Sequence, residues 1–139
     1  MSSIKLFESK KIRSVWVEAE QKWYFSLHDV VEALTESVDP KQYVKKLRSR
    51  DPELNSNWGT ICTQVQMVAA DRKQRKTIAA DTENILRIIQ SIPSPKAEPF
   101  KRSLAQTGAE RIAEIENPEL AQKRIRETYK AKGYSDEWI

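Results

Sequence analysis

The 139-residue sequence predicts an α+β fold, on three observations. Apolar and polar residues alternate in two separate regions, 12–26 and 63–80, as they do in half-buried antiparallel strands. Between and after these regions the spacing becomes i, i+3, i+4, i+7, as in Leu27, Val30, Val31 and Leu34, which is one face of a helix. Three Asx-Pro pairs, Asp39-Pro40, Asp51-Pro52 and Asn117-Pro118, mark helix boundaries.

Each element can be justified in turn. Residues 4–8, with Ile4 and Leu6, and IRSVWVEA at 12–19, with Ile12, Val15 and Val17, interleave apolar and polar side chains. KWYFS at 22–26 is a partner across the polar turn EAEQ, so the N-terminal part is expected to be a small antiparallel β-meander. In SLHDVVEALT the period turns helical. Ser26 followed by Asp29 resembles a capping box, with Asp in the place usually held by Glu. ESVD ends this helix. Asp39 caps and Pro40 opens a second one, PKQYVKKLRSR, with Tyr43, Val44 and Leu47 as its buried stripe. It stops at Asp51-Pro52, because proline disfavours helical geometry in the residue before it. The two helices form a helix-turn-helix-like pair. DPELNSNWGT reads as loop. TQVQMVAA at 63–70 and KTIAA at 76–80 predict a β-hairpin with DRKQR at its tip. Asp81-Thr82 caps TENILRIIQSI, which is too apolar for a surface helix. PSPKAEP is a stiff connector. PFKRSLAQTGAERIAEI is a further helix in which Gly108 marks a kink or a break, and a last one runs from Asn117-Pro118 to about Lys132, where Gly133 stops it.

Composition narrows the class. With 39% hydrophobic residues the chain belongs with globular proteins, and no apolar run approaches the length needed to cross a bilayer. The N-terminus, MSSIKLFESKKIR, lacks the apolar stretch of a signal peptide, and Cys62 stands alone; both fit a reducing cytoplasm. The net charge of +4 is mild, but its distribution is not. Residues 40–50 hold five basic residues and residues 72–76 hold four, with no acid in either, so the rest of the chain is net negative.

These two stretches supply the candidate site. Lys41, Lys45 and Arg48 fall at i, i+4 and i+7, opposite Tyr43, Val44 and Leu47, and are flanked by Lys46 and Arg50. The second helix of a helix-turn-helix can lie in the major groove, with Arg reading guanine and Lys meeting phosphates. A merely solvated helix face is the rival, although such faces usually alternate signs to gain i,i+4 pairs. Arg72, Lys73, Arg75 and Lys76 form a basic hairpin tip that could act as a wing, or be an ordinary exposed turn.

Other constellations carry less. His28 has no second ligand at metal-binding spacing, and Cys62 reads as a buried thiol. Asp81 and Glu83 stand where helix N-termini favour acids, which explains them better than a nuclease carboxylate pair does. Trp16, Trp23, Tyr24 and Phe25 are either core or a stacking platform for single strands; alternation requires half of them to face the core. SIPSPKAEP serves equally as a polyproline ligand or a connector. With three glycines, the chain has no Gly-rich phosphate loop.

WYFSLHDVVEALT, ADTENILRIIQSIPSPKAEPFKRSLA and the tail ERIAEIENPELA…YKAKGYSDEWI resemble the BRO family N-terminal domain, found in phage antirepressors and in bacterial proteins called DNA-damage-inducible protein D. IQSIPSPKAEPFKRSLA is the most specific part. The resemblance implies an α+β domain proposed to bind DNA and often joined to a second, variable domain. Family members commonly carry glycine after the hairpin-tip aspartate, where this chain has Arg72, and bacterial relatives usually continue beyond the position of Ile139. The expected organisation is a BRO N-terminal-like domain over residues 1–116, then a helical extension over 117–139 packed on it and leading towards a second domain. The expected function is a non-enzymatic, cytoplasmic DNA-binding module of the antirepressor type, without cofactor or metal. Duplex DNA is its expected partner, through Lys41, Lys45, Lys46, Arg48, Arg50, Arg72, Lys73, Arg75 and Lys76. The alternative is a module that captures a repressor or recombination protein through the helices of residues 100–132 and ignores DNA. Homo-oligomerisation is compatible with either.

Overall fold

The structure is a computed structural model and describes residues 12–135 and Glu137. The expected strand at residues 4–8 lies outside the described residues. The described residues divide into two compact units, one up to Pro99 and the other from Phe100 onward.

The first unit is organised by a four-stranded antiparallel sheet in the order β1-β2-β4-β3. Its strands are β1 (Ser14–Val17), β2 (Lys22–Ser26), β3 (Thr63–Val68) and β4 (Gln74–Asp81). The sequence suggested a meander and a separate hairpin. In the fold they are one sheet, because β2 and β4 pair with Phe25 opposite Ala80 and Ser26 opposite Ala79. Ser26, Ala79 and Ala80 are fully buried at this pairing. Alternation sorts the faces: Val15, Val17, Tyr24, Val65, Met67 and Ala79 share one apolar cluster. Trp16, Trp23, Phe25 and Ala80 belong to the other face.

The helices of this unit are α1 (Leu27–Thr35), α2 (Pro40–Arg50), α3 (Pro52–Ser56), α4 (Trp58–Ile61) and α5 (Thr82–Gln90). Helices α1 and α5 pack on the central strands β2 and β4, and α1 also packs on α2. Leu27, Val30, Val31, Ile85, Ile88 and Ile89 are fully buried, each worth about 1.5–3 kcal/mol relative to exposure. The segment DPELNSNWGT is two short helices, not the expected loop. Asp51 does not merely end α2: its side chain accepts the Leu54 N–H at 3.1 Å and starts α3, while Pro52 needs no donor in the first turn. Leu54 is thereby driven into the core, fully buried. A short 3-10 turn at Pro95–Ala97 packs on α1, and Lys96 reaches Glu36 at 2.7 Å, so PSPKAEP is a docked connector.

The second unit contains most of α6 (Glu98–Glu116) and all of α7 (Pro118–Ala131). Helix α6 passes through Gly108 without a break, because this position costs only helix propensity and meets no competing turn. Asn117 caps α7 and Gly133 leaves it at φ +91°, the left-handed conformation glycine adopts freely. Between the helices, Glu114 is buried and gripped by Arg124, with Arg111 3.9 Å away. The guanidinium of Arg124 holds the Glu114 carboxyl below the usual carboxylate range.

Candidate nucleic-acid interface

Helix α2 presents its basic residues by ordinary helix chemistry. Asp39 accepts the Gln42 N–H at 3.2 Å, Pro40 occupies the first turn, and Val44 and Leu47 turn inward. Lys41, Lys45, Lys46 and Arg50 are exposed. Arg48 and Arg50 in the last turn suit the helix dipole, but Lys41 in a first turn without any acid opposes it. Arg48 is held differently from the lysines. Its Nε donates to Asn55 Oδ1 at 2.9 Å, and its guanidinium lies 4.7 Å from the centre of the Trp58 ring. Trp58 and Asn55 come from the helices that the sequence had suggested as loop, so nothing in the local pattern announced this cradle.

The second patch sits on the β3–β4 hairpin. Lys76 faces Gln66 and Arg75 faces Met67, so the two cations lie on opposite faces of the ribbon. The turn is closed by Ala69 N–H to Lys73 O and Arg72 N–H to Ala69 O, both 2.9 Å. Arg72 sits at φ +65°, a left-handed conformation costly for a side-chain-bearing residue. Arg75 is paired with Asp71, which also accepts the Lys73 N–H at 3.1 Å; the guanidinium keeps the Asp71 carboxyl below its ordinary range. Among the described residues, Lys41, Lys45, Lys46, Arg50, Arg72, Lys73 and Lys76 have no ion-pair partner, whereas Arg48 and Arg75 are pre-positioned by Trp58, Asn55 and Asp71.

A residue absent from the sequence-based candidates anchors the end of β3 to the start of α1. Arg13 wraps the Asp29 carboxylate, with Nε at 2.7 Å, Nη2 at 3.1 Å and its backbone N–H at 3.0 Å, and its Nη1 donates to the Val68 carbonyl at 3.0 Å. One side chain thus ties the start of α1 to the end of β3, where the basic tip begins. Ser26 forms the expected half of the capping box, accepting the Asp29 N–H at 3.4 Å. Asp29 does not reciprocate, because Arg13 has taken its carboxylate, and the Ser26 N–H bonds Arg13 O instead at 3.0 Å. His28, beside Asp29, is half-buried, and burial lowers its pKa; Lys41 and Arg13 lower it further, against Asp29.

The remaining sequence candidates are accounted for by structure. Asp81 accepts the Asn84 N–H at 2.9 Å with one oxygen and pairs with Lys22 at 3.3 Å through the other. Cys62 is buried, and desolvation pushes its thiol up to about 12. Tyr24 and Phe25 are core, while Trp16 and Trp23 remain exposed. Among the described residues no group of three or more His, Cys, Asp or Glu is arranged to hold a metal ion, and no helix is long and apolar enough to cross a membrane.

Residues 11–108, more than half of the chain, match the BRO family, N-terminal domain. The chain belongs to that family. We found no significant match among curated proteins or solved structures. The matched BRO segment contains the sheet, the helix pair and both basic patches, and it ends within α6.

Proposed function

We propose that this BRO-family domain is a non-enzymatic DNA-binding module of the phage antirepressor type. It contacts duplex DNA through α2 and the β3–β4 tip. The observation that carries the reading is the set of seven exposed cations without an ion-pair partner, confined to α2 and the β3–β4 tip. Unpaired like charges repel one another and stabilise nothing in the free domain; phosphates relieve that repulsion. Lys41, Lys45, Lys46, Arg50, Arg72, Lys73 and Lys76 would meet the backbone. Arg48, already oriented by Trp58 and Asn55, and Arg75, oriented by Asp71, are the two able to present a fixed guanidinium fork to a base edge. The test is a duplex-binding assay comparing the wild type with Lys41→Glu/Lys45→Glu. The expected result is loss of binding with an unchanged melting curve; equal affinity in the two proteins would refute the proposal.

A second reading, capture of a repressor or recombination protein without DNA, has one observation in its favour. Helix α7 contains no buried residue, and Ile112, Ile115, Leu120 and Ile125 are all exposed. A partner pull-down repeated after nuclease treatment separates the two readings, since only direct protein capture survives it.

A further inference from the structure

Trp16 and Trp23 stand directly opposite each other on β1 and β2, ring centroids 5.6 Å apart and planes at 63°. They are 40% and 48% exposed, an unusual state for two neighbouring indoles on a sheet. They line a cavity of about 310 Å³ with Lys22, Asp81 and Glu83. None of these residues belongs to the basic interface described above. The charges around the slot have the opposite sign. Glu18 accepts the Trp16 indole N–H at 2.6 Å and has no cationic partner, and Glu83 is exposed and likewise unpaired. The one cation in the lining, Lys22, is already used by Asp81.

Stacking of single-stranded bases is the obvious use for paired indoles, but the phosphates that accompany bases would meet Glu18 and Glu83 without compensation. A guanidinium does not meet that obstacle. It stacks on indole faces, donates to carboxylates through its edge, and has a side chain that a slot of this size admits. We propose that the Trp16–Trp23 slot takes an arginine side chain from a basic segment of a protein partner. The edge-to-face indole pair supplies an exposed aromatic face, and Glu83 and Glu18 the charge. This surface works independently of DNA binding and leaves α2 and the hairpin tip free.

The experiment follows the tryptophan indole N–H resonances of the full chain by ¹⁵N NMR during titration with capped hexa-arginine, with hexaglutamate and oligothymidylate as controls. Trp16 and Trp23 are expected to shift with hexa-arginine alone while Trp58 stays in place. Glu83→Gln should weaken the interaction several-fold, and Trp23→Ala about tenfold. Trp23→Phe, which keeps a ring on the sheet, should give an intermediate loss with duplex binding unaltered. Absence of shifts, shifts produced by oligothymidylate in place of the peptide, or indifference to Glu83→Gln would overturn the proposal.

Discussion

Arg72 shows how much a single backbone angle decides at the residue scale. A left-handed conformation costs a non-glycine L-residue about 1–2 kcal/mol, and Arg72 bears that cost at φ +65° on an exposed turn. Arg72→Gly should therefore raise stability in urea denaturation by about 1 kcal/mol. If Arg72 meets a phosphate, the same variant should flatten the salt slope of DNA binding by about 0.9. A stabler protein with an unchanged slope would remove Arg72 from the interface and leave the strain unexplained. Asp51 offers the pH-dependent counterpart. The Ser91 hydroxyl, the Leu54 N–H and Arg87 all favour its ionised form and depress its folded pKa. Its stabilisation is thus complete above the unfolded aspartate value and is lost as pH falls through the lower folded value. Asp51→Asn should lower the melting temperature at pH 7, and the gap to wild type should close as the pH is taken below about 4. A gap that persisted at pH 2 would mean that packing, not charge, carries the effect. The sequence made Asp51 visible as a boundary, but its bonds to Ser91 and Arg87 span 40 and 36 residues and leave no local trace.

At the scale of elements, α2 joins two roles that its sequence separates by face. Leu47, 2% exposed, anchors the helix; Leu47→Ala should cost about 2–5 kcal/mol in chemical denaturation, the range for emptying a buried leucine site. The outward face should tolerate change instead. Lys45→Ala and Lys46→Ala should each leave stability within about 0.5 kcal/mol, because exposed side chains without partners contribute little. This contrast between faces was legible from the apolar stripe Tyr43, Val44 and Leu47. What was not legible is why Arg48 differs from its neighbours. Its cradle needs Asn55 and Trp58, which reach it only because Asp51 caps a new helix where DPELNSNWGT reads as loop. Weak helix formers in that stretch hide α3, which exists through the Asp51 cap and the burial of Leu54, and α4, which follows it without a side-chain cap.

For the whole molecule, the order of the strands and of the longer helices followed from periodicity, and the two basic patches from counting charges. The tertiary contacts between the elements did not follow. The β2–β4 pairing joins residues more than fifty positions apart, and the Arg13–Asp29–Val68 clamp is a matter of tertiary placement, to which no spacing rule refers. The exposed Trp16–Trp23 pair was hidden for a related reason: alternation requires some aromatic residues to face away from Tyr24, but does not say which helices end short of them. The central claim is that a charge surplus confined to two elements exists to neutralise phosphate. It is tested most directly by measuring the affinity of the wild-type domain for duplex DNA over a range of salt concentrations. With four to six phosphates contacted, log K against log salt should fall with a slope of about −3.6 to −5.4. In Lys41→Glu/Lys45→Glu the slope should be shallower by about 2. A slope near zero, or one that the double variant leaves unchanged, would contradict the account.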